Sequence, residues 1–244
     1  MNTRTAEILA RLNRDFYERN ASSFSRTRQS PWPGWERVLD ITGQPASVLD
    51  LASGNMRFQK YMAQHFPNAA IQQYCVDSCD ALAQPDEGVA FQHLDIASCL
   101  YTGNSLAEAL EAPACELCTS FGFMHHVYGQ PARIELARVL MAKTLPGGHV
   151  ALSFWQFANS DELRGKASVS TEEGLKKLDV ELEEGDYLLG WDGVPGEYRY
   201  CHSFTVSELN EIAQAVAGET SAVVRFASDG RTKNMNAYLV LTRN

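Results

Sequence analysis

The stretch Val48-Leu-Asp-Leu-Ala-Ser-Gly-Asn-Met-Arg-Phe58 combines an apolar strand with an acid near its end, a turn of small residues and the start of a helix. In an open parallel sheet, ligands bind at the carboxyl ends of the strands, and small residues allow backbone amides to approach them. The stretch therefore predicts a cofactor-binding turn. An ordinary tight turn between a strand and a helix is the alternative that these residues leave open.

Short apolar segments around this turn indicate alternating strands and helices. Strands separated by stretches long enough for crossover helices are predicted at 47–51, 71–76, 89–94, 117–121 and 149–154. The clearest helix begins at Pro131 and is stopped by Leu145-Pro-Gly-Gly148. A further helix and two strands are predicted at 206–216, 222–226 and 237–242. This order predicts an α/β fold, a Rossmann-like and mostly parallel sheet within a three-layer α/β/α sandwich.

Two segments outside this pattern are predicted to cover the site. The first is an N-terminal helical lid over 1–45, whose amphipathic helix, polar loop and short second helix fall at 3–19, 20–33 and 35–41. The second is a cap-like insertion over 156–204, with a helix and a strand-and-turn unit at 168–177 and 182–200. We expect all of these elements to form one domain, 1–244.

The composition is that of an acidic globular protein. The 244 residues include 30 Asp and Glu against 21 Lys and Arg, a net charge of −9. Such acidity opposes broad adhesion to phosphate backbones but allows a local basic patch. No apolar run approaches the ~20 residues of a membrane span, and the N-terminus lacks the pattern of a secretory signal. We therefore expect a cytoplasmic protein whose six cysteines stay reduced.

Acids follow three successive predicted strands. Asp50, Asp77 and Asp95 stand at the ends of the first, second and third strands. An acid at the second position can accept two ribose hydroxyls and one at the third an adenine amino group, while the first can orient a positively charged methionine moiety. Each acid alone is more typical of a helix N-cap or a turn. Together they predict one acidic rim that binds a nucleoside cofactor.

With its small-residue turn and three strand-end acids, the sequence resembles the class I S-adenosylmethionine-dependent methyltransferases over 35–157 and 205–242. The resemblance implies a seven-stranded sheet with an antiparallel last strand, and S-adenosyl-L-methionine as the cofactor. It places the cofactor against residues of the rim, the turn and the fourth strand: Asp50, Ala52, Ser53, Gly54, Asn55, Asp77, Ser78, Asp95, Ile96, Ser120 and Phe121.

The turn departs from the family pattern Gly-x-Gly-x-Gly at two positions, because Ala52 and Met56 replace the first and third glycines. Alanine fits if its φ stays negative, and the methionine side chain must point away from the cofactor. These departures motivate an alternative, a non-catalytic binding module that keeps the fold. A nicotinamide-dependent reductase is disfavoured because Arg57 occupies the last glycine position of Gly-x-Gly-x-x-Gly.

Outer motifs narrow the resemblance. Ala21-Ser-Ser-Phe-Ser-Arg-Thr-Arg28, Pro31-Trp-Pro33 and Tyr198-Arg-Tyr-Cys-His-Ser-Phe204 are similar to the transfer-RNA wobble-uridine carboxymethyl methyltransferases, which in eukaryotes work with a small zinc-binding activator subunit. This resemblance implies that Arg28 and Trp32 lie over the cofactor, and that Arg199 and His202 lie on the substrate side. Trp155, one of the aromatic residues of the covering segments, is also expected on the substrate side. A solvated arginine, an anchoring tryptophan, a surface salt bridge and a satisfied histidine are the alternatives.

The segment after the fourth predicted strand carries two adjacent histidines, His125 and His126, which could orient an acceptor or remove a proton. A carboxylate acceptor needs no strong base, so no obligatory base is predicted. Cys115 and Cys118 have the spacing of half a zinc site, but they lack a second pair and fall on opposite faces of a strand. We predict no metal site.

Two acceptors remain open, a transfer-RNA wobble uridine and a small molecule. The outer motifs favour RNA, whereas the low pI and the aromatic-rich covering segments favour a compact apolar acceptor. An RNA acceptor requires one basic patch beside the pocket, formed by Arg26, Arg28, Arg57, Arg199 and Arg231. The residues leave the oligomeric state open.

Overall fold

A seven-stranded sheet lies at the centre of the protein, which a computed structural model describes over residues 2–244. The nine strands are β1 Ser47–Leu51, β2 Gln72–Asp77, β3 Val89–His93, β4 Cys115–Ser120, β5 Thr144–Trp155, β6 Asp186–Gly190, β7 Tyr198–His202, β8 Thr220–Ser228 and β9 Asn236–Arg243. The sheet order is β3-β2-β1-β4-β5-β9-β8, and β9 runs antiparallel to both neighbours. The predicted Rossmann-like fold with an antiparallel last strand is confirmed.

Helices, with one exception, cover both faces of this sheet. The helices are α1 Thr3–Arg26, α2 Pro33–Thr42, α3 Arg57–His65, α4 Ile96–Tyr101, α5 Leu106–Ala109, α6 Gln130–Ala142, α7 Asp161–Leu175 and α8 Val206–Ala215. The exception is α7, which packs on β6 outside the sheet. Apolar residues of α1, α4, α6 and α8 pack with one face of the sheet, and those of α2 and α3 pack with the other. Over the described residues, no helix combines the length and apolar character needed to cross a membrane.

Three predicted boundaries are wrong, and one of them is that of the helix in the insertion, which lies at Asp161–Leu175 and not at 168–177. The helix α1 continues to Arg26, through a segment predicted as loop, because Tyr17, Ala21 and Phe24 extend its apolar stripe onto Cys79 and Leu82. The strand β5 begins at Thr144, so the predicted stop at 145–148 is a bulge in that strand: Cys115 pairs with Thr144, and Leu117 pairs next with His149.

The two predicted covering segments meet each other. Strands β6 and β7 form an antiparallel hairpin apart from the main sheet, and β7 packs on α1. Asn13 of α1 binds the backbone of Tyr200 in both directions: its side-chain oxygen accepts from the Tyr200 N–H at 2.7 Å, and its amide donates to the Tyr200 carbonyl at 3.1 Å. The helix and the hairpin together form the cover of the site.

Candidate active site

A cavity of about 400 Å³ lies at the carboxyl ends of the central strands, between the sheet and the cover. Its walls include sixteen of the predicted site residues: Arg28, Trp32, Asp50, Ala52, Ser53, Gly54, Asn55, Asp77, Ser78, Asp95, Ile96, Phe121, His125, His126, Trp155 and Arg199. The structure therefore brings residues from the sheet edge and from both covering segments to one space.

Two predicted site residues do not line this cavity. Ser120 is fully buried, and its hydroxyl donates to the Leu51 carbonyl at 3.1 Å. The ring of His202 lies between two carboxylates, with nitrogen-to-oxygen distances of 2.7 Å to Asp186 and 2.7 Å to Glu208. The placement of His202 on the substrate side is therefore wrong, since the histidine joins the hairpin to α8 inside a buried polar network.

The turn after β1 holds three residues in the left-handed region. The φ values are 62° at Ala52, 53° at Gly54 and 57° at Met56. The condition under which alanine fits easily, a negative φ, is not met at Ala52: the turn keeps a conformation that favours glycine at every second position, although only one glycine is present. Met56 is buried and lies outside the cavity wall, as its side chain has to for the turn to remain open.

Asp50 lies in the floor of the cavity within β1. One carboxylate oxygen accepts from the Gln59 amide at 2.8 Å, and the other accepts from the Thr119 hydroxyl at 2.6 Å. Burial raises the pKa of this carboxyl to about 6, and the two hydrogen bonds oppose part of that rise. A cation in the cavity favours the ionised form, so Asp50 is suited to face positive charge.

Asp77 and Asp95 organise backbone while they face the cavity. Asp77 accepts from the N–H groups of Gly54 at 2.7 Å and Cys79 at 2.9 Å, and burial raises the pKa of its carboxyl against these bonds. Asp95 caps α4 through the Ser98 N–H at 2.9 Å and pairs with Arg14 at 2.9 Å. The N-cap reading of Asp95 is thus right, and all three predicted acids lie in one cavity wall.

Both ring nitrogens of His126 have partners. Its Nδ1 lies 2.8 Å from the Tyr200 carbonyl oxygen and 3.1 Å from the Asn13 amide nitrogen, and the shorter contact favours a proton on Nδ1. With that tautomer, Nε2 accepts from the Tyr17 hydroxyl at 2.7 Å. Burial, followed by the nearby Arg199 charge, lowers the pKa of His126 to about 3, so the ring is neutral at physiological pH. Burial also raises the pKa of Tyr17 to about 12.

His125 lies between His126 and Trp155, with ring centroids 4.1 and 5.2 Å away. Its Nδ1 is buried without a hydrogen-bond partner, and burial lowers its pKa well below the usual range. With Cys201, the two histidines form a buried group whose donor atoms lie within 4.8 Å of one another. Because both nitrogens of His126 are already hydrogen-bonded, this group is poorly suited to bind a metal ion.

Arg199 carries a buried guanidinium that faces the cavity without an acidic partner among residues 2–244. Its carbon atom lies 5.4 Å from the ring centroid of Phe16, 5.2 Å from that of Trp191 and 5.9 Å from that of Trp155. Its Nε has no hydrogen-bond partner. A buried cation that contacts aromatic rings but no acid is stabilised by an anionic ligand, because the aromatic faces compensate only part of its lost hydration.

Three more arginines line the same cavity: Arg14, which is paired with Asp95, and Arg28 and Arg57. Burial lowers the pKa of Arg28, and repulsion from Arg199 lowers it further. The pKa of Arg57 falls to about 10, mainly because of burial and secondly because of repulsion from Arg28. Trp32 stacks on Trp35 at 5.5 Å, and its ring would be 3.0 Å from a Cβ at Gly122. The glycine therefore makes room for the tryptophan that the resemblance places over the cofactor.

The predicted site omits several cavity residues. Tyr17 and Asn13 face it from α1, and Asp229, whose φ is 67°, faces it from the loop before β9. Asp229 accepts from the Gly34 N–H at 2.9 Å and from the Asn236 amide at 2.8 Å. A polar residue on an apolar helix stripe is the signal that could have identified Asn13, whereas nothing local distinguishes Asp229 from an ordinary turn aspartate.

The curated relatives of the chain carry one functional name, tRNA (carboxymethyluridine(34)-5-O)-methyltransferase. One from Mus musculus is 28% identical over 156 residues, which are 62% of this chain and 22% of the relative. One from Schizosaccharomyces pombe is 23% identical over 216 residues, 83% of this chain and 86% of the relative. The chain thus spans about a fifth of the mouse protein and most of the yeast protein. No protein-family model matches it.

Solved structures with the same fold include a 1,6-didemethyltoxoflavin-N1-methyltransferase from Burkholderia thailandensis, with a TM-score of 0.60 and 16% identity over 95% of this chain and 87% of that one. They also include a SAM-dependent methyltransferase from Methanosarcina mazei, with a TM-score of 0.59 and 15% identity over 88% of this chain and 98% of that one. At these identities the likeness establishes the fold alone. The predicted resemblances to both groups are confirmed.

Proposed function

We propose that this chain, which has the class I S-adenosylmethionine-dependent methyltransferase fold, transfers a methyl group from S-adenosyl-L-methionine to the carboxylate of a carboxymethyl uridine in transfer RNA. The observation that carries the proposal is a single cavity that joins an acidic strand-end rim to the buried guanidinium of Arg199, whose Nε has no hydrogen-bond partner. The rim suits a cationic nucleoside cofactor, and the guanidinium suits an anionic acceptor.

The residues of the rim fit the cofactor. Ser53 lines the cavity and its buried hydroxyl has no hydrogen-bond partner, while a Cβ at Gly54 would meet open space, so the turn has an unsatisfied polar group and an uncovered backbone at the cavity. Asp77 would hold the ribose, Asp95 the adenine side, and Asp50 the positively charged methionine end. When bound, S-adenosyl-L-methionine supplies a methyl group that bonds to a carboxylate oxygen of the acceptor as its bond to sulfur breaks and the electron pair stays on sulfur.

On the acceptor side, the residues would bind the negative charge of the acceptor and would not need to act as a general base. Arg199 would hold the carboxylate through its planar fork of donors, with Tyr17 beside it fixed by His126. The low pKa values of His125 and His126 keep both rings neutral, so neither ring repels the cation or competes for the carboxylate. A carboxylate is already ionised, so alignment and exclusion of water by the cover would supply most of the rate.

Three findings favour RNA over a small-molecule acceptor. The curated relatives are named as tRNA methyltransferases. Three arginines of the predicted basic patch, Arg28, Arg57 and Arg199, line the cavity. The other two, Arg26 and Arg231, are exposed, Arg231 directly after the cavity residue Gly230. The proposal includes the expected cytoplasmic location, where the six free cysteines stay reduced, and the small zinc-binding activator subunit.

The test is methyl transfer from labelled S-adenosyl-L-methionine to a short RNA that contains 5-carboxymethyluridine, with the chain alone and with the chain in a cell extract. The expected product is a methyl ester, which mild alkali hydrolyses with release of labelled methanol. Label that survives alkali would identify an N-methyl or ether product and contradict the carboxylate acceptor. Absence of label in both arms would favour the non-catalytic binding module, and label only in a small-molecule fraction would contradict RNA.

A further inference from the structure

A second cleft of about 190 Å³ opens beside the active-site cavity. Its wall combines two cationic side chains with neutral hydrogen-bonding ones and contains no acid: Ser25, Gln29, Pro31, Asn55, Arg57, Lys60, Tyr61, Gln64 and Gln84. In a chain with a net charge of −9, a cleft that holds only cationic and neutral groups is a local reversal of the overall charge. Such a cleft favours an anion.

The two clefts share Asn55 and Arg57. The Asn55 amide donates to the Arg28 carbonyl at 2.9 Å and to the Ser25 hydroxyl at 3.2 Å. Arg57 donates to the Asn55 side-chain oxygen at 3.2 Å and to the Ser30 carbonyl at 2.9 Å. These bonds fix the connection between α1 and α2 as the partition between the clefts, so a ligand in one cleft lies next to a ligand in the other.

The charges on this partition have no anionic partners among the described residues. Arg57 binds only neutral oxygens, and the Lys60 ammonium, one turn along α3, is exposed and has neither an ion pair nor a hydrogen bond. Burial and the nearby Arg28 charge lower the pKa of Arg57 to about 10, which an anion would reverse. Tyr61, also in the wall, adds an aromatic ring beside these cations.

We propose that this second cleft binds a phosphodiester of the RNA chain next to the acceptor nucleotide, with Arg57 and Lys60 on the phosphate oxygens. The assignment rests on the proposed RNA acceptor and extends it by naming a backbone subsite. Cationic side chains, amide donors and an aromatic ring are the combination that single-stranded RNA binds. The subsite would favour an RNA chain over a free nucleoside while leaving the chemistry at the carboxylate unchanged.

Lys60 gives the cleanest test because it lines the second cleft only. The probe is a fluorescent seven-nucleotide RNA with 5-carboxymethyluridine at its centre. It is titrated with the wild-type protein, with Lys60→Gln and with a matched control, Lys176→Gln. The control removes an exposed lysine of the cap-like insertion. We expect Lys60→Gln to raise the Kd for RNA about 3–10-fold. The slope of log K against log salt should fall in magnitude by about 0.7, the value for one phosphate contact on a single strand.

Three controls separate this subsite from the proposed function. S-adenosylhomocysteine affinity and methyl transfer to the free nucleoside should match wild type in Lys60→Gln. Loss of either would mean that the substitution disturbs the main site, and failure of wild type in both would overturn the proposed function itself. An unchanged salt slope, or an equal loss in Lys176→Gln, would overturn the subsite, as would inorganic phosphate competing as strongly as an unlabelled RNA of the same length.

Discussion

The floor and the cover of the cavity differ in how the chain builds them. The floor consists of the β1 turn and the three acids, and each acid has at least one partner near in sequence: Gln59 for Asp50, Cys79 for Asp77 and Ser98 for Asp95. The cover joins segments far apart, and Asn13 reaches Tyr200 across 187 residues. The charges that face the cavity also differ, with three acids in the floor and Arg14 and Arg199 in the cover. Under the proposed function, this difference separates binding of a cationic cofactor from binding of an anionic acceptor.

The largest expected effect comes from a substitution in the floor. Asp77→Ala removes the carboxylate that orders Gly54 and that would hold the ribose, so the Kd for S-adenosylhomocysteine should rise about 100-fold, since hydrogen bonds to charged groups contribute about 1.5–3 kcal/mol each. Calorimetric titration measures this change. Asp80→Ala, at an exposed aspartate that pairs with His93, is the control and should bind like wild type. Unchanged affinity in Asp77→Ala would remove Asp77 from the site.

A substitution in the cover should act on the acceptor alone. Arg199→Gln should lower kcat/KM for the carboxylate acceptor about 30–100-fold, because a buried bidentate charge pair is lost, while the affinity for S-adenosylhomocysteine stays within about twofold. Steady-state kinetics and calorimetry measure the two effects. Arg199→Lys keeps the charge without the fork and should recover part of the loss. An equal loss of cofactor affinity would show that the floor and cover are not independent.

The raised pKa of Asp50 predicts a pH dependence of the floor. Below pH 6 its carboxyl takes up a proton, so affinity for S-adenosyl-L-methionine should weaken, by up to about tenfold per pH unit. In the protein without ligand, the pKa of Asp50 is about 6 in the folded state and 3.8 in the unfolded state. The contribution of Asp50 to stability therefore falls as the pH rises from about 3.8 to 6. Binding measured from pH 5 to 8 tests the first effect. Asp50→Asn should flatten the profile, and a profile identical to wild type would exclude Asp50 as its source.

The smallest expected effect concerns the turn in the floor. At Ala52 the φ of 62° is unfavourable for alanine by about 1–2 kcal/mol, so Ala52→Gly should raise the free energy of unfolding by about 0.5–1 kcal/mol after the entropy of glycine is counted. Ala63→Gly, in the exposed interior of the helix that follows, should lower it by about 0.5–1 kcal/mol. Urea unfolding distinguishes these signs. Destabilisation by both glycines would mean that the left-handed turn stores no strain.

Sequence reasoning located the floor because its signals are local. A strand, a small-residue turn and an acid are contiguous in the chain, and parallel strands bring successive strand ends to one edge, so Asp50, Asp77 and Asp95 could be placed together. The same reasoning left φ at Ala52 open, and the structure gives it a positive value in a turn whose Ala52 and Ser53 N–H groups both donate to the Val76 carbonyl. The reasoning failed at His202, whose carboxylate partners come from the hairpin and α8.

The amino-acid sequence by itself determined the sheet, the order of its elements and the acidic rim, because periodicity and turn chemistry act over a few residues. Only the tertiary structure decided the side of the cavity where we propose that the acceptor binds. It brought Tyr17 to His126, left Arg199 among aromatic rings without an acid, and placed Lys60 beside a second cleft. Those relations join distant segments, and long-range packing, which no local pattern encodes, sets which side chains meet.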